Sequence, residues 1–350
     1  MSPVVSVRRT LALAAVASCA ILVGCAEPAA PPAPPPPPPV PAVSLSSKLI
    51  DQASAYRAYV DSATQISPDF TDGASVAASL RKGESYEPGQ LLRGAIAYGA
   101  VVALQDPAFR AAVRIYAVDP DQRRTVAYDI MKDPAYVLGM KDVSGAAGLV
   151  MSALGEDGKK LYLDGAAVKQ AAYDVQHHAW SKADVVGRPE RLALAKQLSA
   201  TPIEGSPGLT SKLSEAVSGT DPMPLTAAAA SPPYSPIVVR SLAVAALAAL
   251  GYADDSSLAQ VMPLTADPPE ADCLNLAKLD LFQCLAVAKP HYEDVFCLGQ
   301  HALKDTGSCL LKGVGVAKPI PPTPVRAIPV THVSTKAAHS TRARSRRHRD

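Results

Sequence analysis

Apolar residues recur at helical intervals from about residue 45 onward. Leu49, Ala53, Tyr56, Val60 and Ala63 step by four, three, four and three, which sets them on one stripe with Asp51 and Arg57 off it. A first helix is therefore predicted over 46–63. A second follows Asp72 and ends at Gly83, and a third opens at Glu87-Pro88 and runs through Leu91, Ile96, Val101 and Leu104. Gly94 and Gly99 weaken that third helix but let a neighbour approach closely. Asp106-Pro107, Asp119-Pro120 and Asp133-Pro134 recur at spacings of 13 and 14. Aspartate caps a helix N-terminus, and proline suits the first helical position because its missing amide would be unpaired there. Three short helices are predicted.

Gly155-Glu156-Asp157-Gly158 reads as a turn between helices, and the helix after it would bury Leu161, Val168, Ala172 and Val175. Another begins near Pro189 and carries Leu192, Leu194 and Leu198. Residues 202–236 are rich in Pro, Gly and Ser and form the candidate internal boundary or long loop. Pro236 opens a strongly apolar helix from Val238 to Ala253. It is too short for a bilayer, which needs roughly 20 apolar residues, and contains Arg240, so a core helix is predicted. Alanine dominates and alternating β-branched clusters are scarce. The expected fold is mainly α, one multi-helix domain over 45–312.

The ends of the chain differ from this body. Arg8 and Arg9 precede a short apolar stretch from Leu11 to Ile21, followed by Leu22-Val23-Gly24-Cys25. A basic start, an apolar run too short to span a bilayer and small residues at a cut mark export. These first 26 or so residues resemble the signal peptide and lipobox of bacterial lipoproteins. The resemblance implies cleavage before Cys25, removal of 1–24, and acyl chains on the new N-terminal cysteine. Ala26, in place of the aspartate that favours retention at the inner membrane, implies an outer-membrane anchor facing the periplasm. Within 25–44 the run 28–41 is almost wholly proline and alanine, a polyproline II tether reaching about 40 Å at ~3.1 Å per residue.

Charge is unevenly spread. The chain carries a formal +2, yet from Gly313 onward the net is +7, which leaves residues 10–312 at −7 once Arg8 and Arg9 are set aside. The tail 313–350 is proline-rich and ends in Arg342, Arg344, Arg346, Arg347 and Arg349. Such a block is expected to be disordered and to favour anionic envelope surfaces: peptidoglycan, lipopolysaccharide or acidic lipid. Export argues against nucleic acid.

Cys273, Cys284, Cys297 and Cys309 lie within 37 residues. In an oxidising compartment an even set reads as two disulfides, with three pairings open. Cys273 and Cys284, 11 apart, share a helix face. After a bend at Lys289-Pro290-His291, a second helix over 292–303 would face the first. Facing helices pair Cys284 with Cys297 and Cys273 with Cys309, a stapled C-terminal hairpin. Two cysteines separated by two residues, the tight spacing of structural zinc sites, are absent, so no metal is expected.

Catalytic signatures are also absent: no His-Glu-x-x-His, no Gly-x-Ser-x-Gly, and only a broken P-loop at Gly158-Lys159. No cofactor is implied. The best polar cluster is Tyr173 to Trp180, where Asp174 and His178 would share a helix side at i and i+4. They could form a general-base dyad or half a metal site, or only a surface hydrogen bond. His291 and His301 are less specific. The sequence thus predicts a non-enzymatic envelope lipoprotein with a structural, scaffolding or binding role. The alternative is an anchored enzyme or small-ligand binder with a pocket near Asp174 and His178.

Overall fold

A computed structural model describes residues 39–322. Cys25, the proline tether up to residue 38 and the arginines of the tail lie outside the described residues. Everything regular within 39–322 is helical, with no strand among the described residues.

The predicted N-terminal elements form where the pattern places them. Helix α1 (Ser47–Ala63) is capped by Ser46, whose hydroxyl accepts from the Leu49 amide. All five stripe residues are buried. Helix α2 (Gly73–Glu84) is closed by a capping box between Asp72 and Ser75. Helix α3 (Pro88–Ala103) has Glu87 as its cap and is buried along almost its whole length. Gly94 and Gly99 do bring neighbours close: an added Cβ would lie 2.5 Å from the Gln52 carbonyl oxygen and 2.3 Å from Ser241 Oγ. The Asp-Pro pairs start α4 (Pro107–Arg114), α5 (Pro120–Lys132) and a 3-10 turn, Pro134–Gly139, with each aspartate accepting from main-chain amides.

The expected turn at Gly155–Gly158 does not form. One helix, α6 (Val143–Val175), runs straight through it for 33 residues. Its glycines serve packing instead. A Cβ on Gly158 would meet Leu311 and the Gly307 carbonyl oxygen, and one on Gly165 would stand 2.4 Å from the Lys304 amide. The glycines form a seam where the C-terminal helices lie antiparallel against α6. Helix propensity charges glycine about 1 kcal/mol, but close tertiary packing overrides it here.

Three elements follow: α7 (Ala179–Lys182), α8 (Arg188–Ala200) and α9 (Pro207–Ser218). On α8, Leu192 and Leu198 are only partly covered and Leu194 is exposed; Ala195 and Ser199 are the buried positions. The stretch 202–236 contains α9, which packs against α1 and α3, and its Ala230 amide donates to the Ser144 carbonyl. Helix α10 (Pro236–Leu250) ends at Gly251, which takes the left-handed conformation (φ 78°) that glycine adopts freely. From Ser241 to Leu250 it is buried on all sides, packed against α3, α4, α6 and the Pro134–Gly139 turn. No helix among the described residues is long and apolar enough to cross a membrane.

A short helix, α11 (Leu258–Val261), leads to the cysteine region. Helix α12 (Pro268–Val287) carries Cys273 and Cys284. Beyond the bend, α13 (His291–Cys297), a π-helical stretch (Leu298–Asp305) and α14 (Thr306–Gly313) succeed one another without a break in helix. Cys273 is bonded to Cys309 and Cys284 to Cys297, the pairing that facing helices require. The π stretch was not predicted and has a geometric reason. Cys297 and Cys309 are 12 apart, against 11 for their partners on α12. At about 100° per residue, 11 residues return to within roughly 20° of one face, whereas 12 overshoot by about 120°. A π turn absorbs one extra residue and restores the match. The same insertion aligns Gly299 and Gly307, eight apart, with Gly165 and Gly158, seven apart.

Candidate functional site

Helix α6 ends at Val175, one turn before the predicted dyad would be complete. Asp174 accepts a hydrogen bond from Gln170 Nε2 at 3.1 Å, while His178 lies outside the helix and stacks on Trp180. The dyad is not assembled.

Asp174 nonetheless borders a cleft of about 710 Å³ between the 68–71 loop, the last turns of α6 and Lys304. Pro321 and Pro322 close one side. Lys169 and Lys304 are its cations. The Lys169 amine donates to Gln300 Oε1 at 2.8 Å and lies 5.0 Å from the Phe296 ring centroid. Burial, and then the charge of Lys304, push its pKa below the usual value, with Asp305 opposing. Asp69 and Asp174 line the cleft as well, so it joins apolar surface to charges of both signs and suits a small amphiphilic molecule. His178 is not part of this cleft. A second, apolar hollow of about 400 Å³ adjoins it across Tyr173 and lies over the Cys284–Cys297 bridge, with Tyr292, Phe296 and Val287 in its walls.

A cluster of perturbed charges lies elsewhere, at a pocket of about 290 Å³ where α2, α8 and α13 meet. Arg191 pairs there with the buried Asp294 and donates to the Leu285 carbonyl. Burial raises the Asp294 carboxyl to about 6 against the pull of Arg191. Glu84, also buried, is raised by burial to about 7, opposed mainly by Lys278. Lys278 lies behind it, fully enclosed: its amine donates to the Glu84 main-chain carbonyl and stands 3.4 Å from the Tyr86 ring centroid. Burial pushes that amine well below its ordinary pKa. His291, pressed against Gly73, is lowered by burial and by Arg191. Clustered perturbed groups often mark function, but ion-pair networks that only hold helices together perturb them too.

Apart from His291, these residues escaped sequence reasoning, although a signal was present. On α12 the buried stripe runs Glu270, Leu274, Lys278, Leu281, Leu285, so two charges occupy apolar positions. On α13 Asp294 does the same beside Val295. A charge on a buried stripe must be paired or neutral, and that rule would have singled out all three. Asp280, His301 and Asp305 also converge, each with a ligand-type atom within 4.8 Å of the others, and His301 Nδ1 is 2.8 Å from Asp305 Oδ2.

Neither the sequence nor the fold connects this chain to a described protein: no family model, no curated protein and no solved structure matches it.

Proposed function

We propose that this is a lipid-anchored protein of the bacterial cell envelope. Its disulfide-stapled helical body serves a structural, scaffolding or binding role in the periplasm. The observation that carries this reading is the Leu22-Val23-Gly24-Cys25 run behind a basic, apolar leader. Two bridges within the C-terminal helices support it, because such bonds persist in oxidising compartments. The acyl chains of Cys25 hold the body at the outer membrane, and the proline tether sets its distance. The basic tail, with Arg342, Arg344, Arg346, Arg347 and Arg349, contacts peptidoglycan, lipopolysaccharide or another anionic surface.

Two experiments test it. Wild type should incorporate labelled palmitate and Cys25→Ser should not; absence of label in the wild type, or equal label in both, would refute the anchor. Protein lacking residues 318–350 should lose cosedimentation with purified peptidoglycan or lipopolysaccharide; equal sedimentation of both forms would refute the tail's role.

A second reading is favoured by the cleft at Asp174, whose lining joins apolar surface to Lys169, Lys304, Asp69 and Asp174. It makes the body a receptor for a small amphiphilic ligand whose acidic group meets Lys169. A thermal-shift series with short-chain carboxylates and with inorganic phosphate tests it. Stabilisation by the carboxylates that Lys169→Met abolishes supports it, and no shift at millimolar concentration ends it.

A further inference from the structure

The two bridges differ in their surroundings. Cys284–Cys297 borders an apolar hollow. Cys273–Cys309 has a carboxyl beside it: an oxygen of Glu270 and both sulfurs lie within 4.8 Å of one another. Glu270 is 4 % exposed, one turn before Cys273 on α12, and its Oε1 is buried with no hydrogen-bond partner among the described residues. A lone buried acceptor costs on the order of 1–3 kcal/mol, so the position is expensive unless the group is protonated or used. Each bridge joins a partly exposed cysteine to a buried one, Cys273 to Cys309 at 3 % exposure and Cys284 to Cys297 at 0 %, so the carboxyl is what sets the first apart.

We propose that Cys273–Cys309 is a thiol-exchange site, with Glu270 as its acid–base group and a dithiol as its reaction partner. The accessible sulfur is the point of attack. A dithiol thiolate bonds to Cys273 Sγ, the Cys273–Cys309 bond breaks, and its electron pair stays on Cys309 Sγ. That sulfur is buried, where a thiolate is costly, and the Glu270 carboxyl supplies its proton. The second thiol of the partner then displaces Cys273 and closes the partner's own disulfide. The partner is oxidised, the bridge is reduced to two thiols, and Glu270 takes a proton back from solvent. Run in reverse, Glu270 accepts the proton of Cys309 as the bridge re-forms.

The state of the carboxyl fits the role. Burial raises Glu270 to about 8; Lys312 from α14 opposes this and Asp267, at the N-cap of α12, adds to it. At neutral pH the group therefore holds a proton that it can give up.

The test is differential reduction of the two bridges in the full chain. Wild type and Glu270→Gln are treated with dithiothreitol from pH 6 to pH 10, quenched by alkylation, and each bridge is followed by peptide mass. Dividing the Cys273–Cys309 rate by the Cys284–Cys297 rate removes the reagent's own ionisation. In wild type this ratio should fall as pH rises through about 8. In Glu270→Gln it should be at least about tenfold lower at pH 7 and flat with pH. A wild-type ratio flat across the range, or a Glu270→Gln ratio equal to wild type at pH 7, overturns the proposal. The wild-type profile decides the matter even if the variant does not fold.

Discussion

Gly165 and Gly299 touch backbone to backbone. A Cβ on Gly299 would stand 2.3 Å from the Lys169 amide nitrogen and 2.9 Å from the Gly165 carbonyl oxygen. Main chain cannot swing aside as a long side chain can, so this contact sets how close the stapled helices come to α6. Gly299→Ala should lower stability by about 1–3 kcal/mol or more, read as the urea midpoint. Gly139→Ala, where an added Cβ meets nothing within 4 Å, should change it little. Equal effects would show that the seam is loose.

The π stretch absorbs one residue, so removing one should relieve it. Deleting His301 makes Cys297 and Cys309 eleven apart, which suits an uninterrupted α-helix. The expected result is a folded protein with both bridges intact by non-reducing peptide mapping. Scrambled or open bridges would refute the register argument.

Arg191, partly buried, and Lys278, fully buried, are cations with different expected behaviour. Arg191→Met leaves Asp294 without its ion-pair partner and should cost about 3–5 kcal/mol. Lys278→Met leaves the Glu84 carbonyl still accepting from Ser199 Oγ at 3.2 Å. It removes a cation that burial disfavours, together with its contact to the Tyr86 ring and the main charge opposing the rise of the Glu84 carboxyl. It should cost clearly less than Arg191→Met. Denaturant unfolding of the two variants separates them.

Glu270 should make stability fall with rising pH. Its folded pKa is raised from 4.5 to about 8, so its contribution is complete below about pH 4.5 and is lost progressively up to about pH 8. Glu84, raised to about 7, acts in the same direction, whereas Lys278, lowered by burial, acts oppositely. The Glu270 part is therefore read as a difference. Between pH 5 and pH 8, wild type should lose a few kcal/mol relative to Glu270→Gln in urea titrations. Parallel curves would contradict this.

Much of the fold could be read from the chain because local chemistry and tertiary packing agree at those positions. Ser46, Asp72, Glu87 and the Asp-Pro pairs cap helices by contacts within three residues, and the α1 stripe is a local period. The errors arise where distant contacts decide. Gly158 looks like a turn until Gly307 is known to lie against it. The π stretch follows from a comparison of cysteine spacings on two helices, which neither helix shows alone. Asp174 reached a cleft but lost His178, because α6 stops at Val175. Glu270 and Lys278 were passed over as ordinary charges, although their places on the α12 stripe announced burial.

The most direct test of the account is the intact mass of the protein extracted from membranes, before and after reduction. It should equal the chain from Cys25 onward plus acyl groups, and should rise by about 4 Da as two bridges open. An unlipidated mass that does not change on reduction would contradict both the anchor and the stapled body.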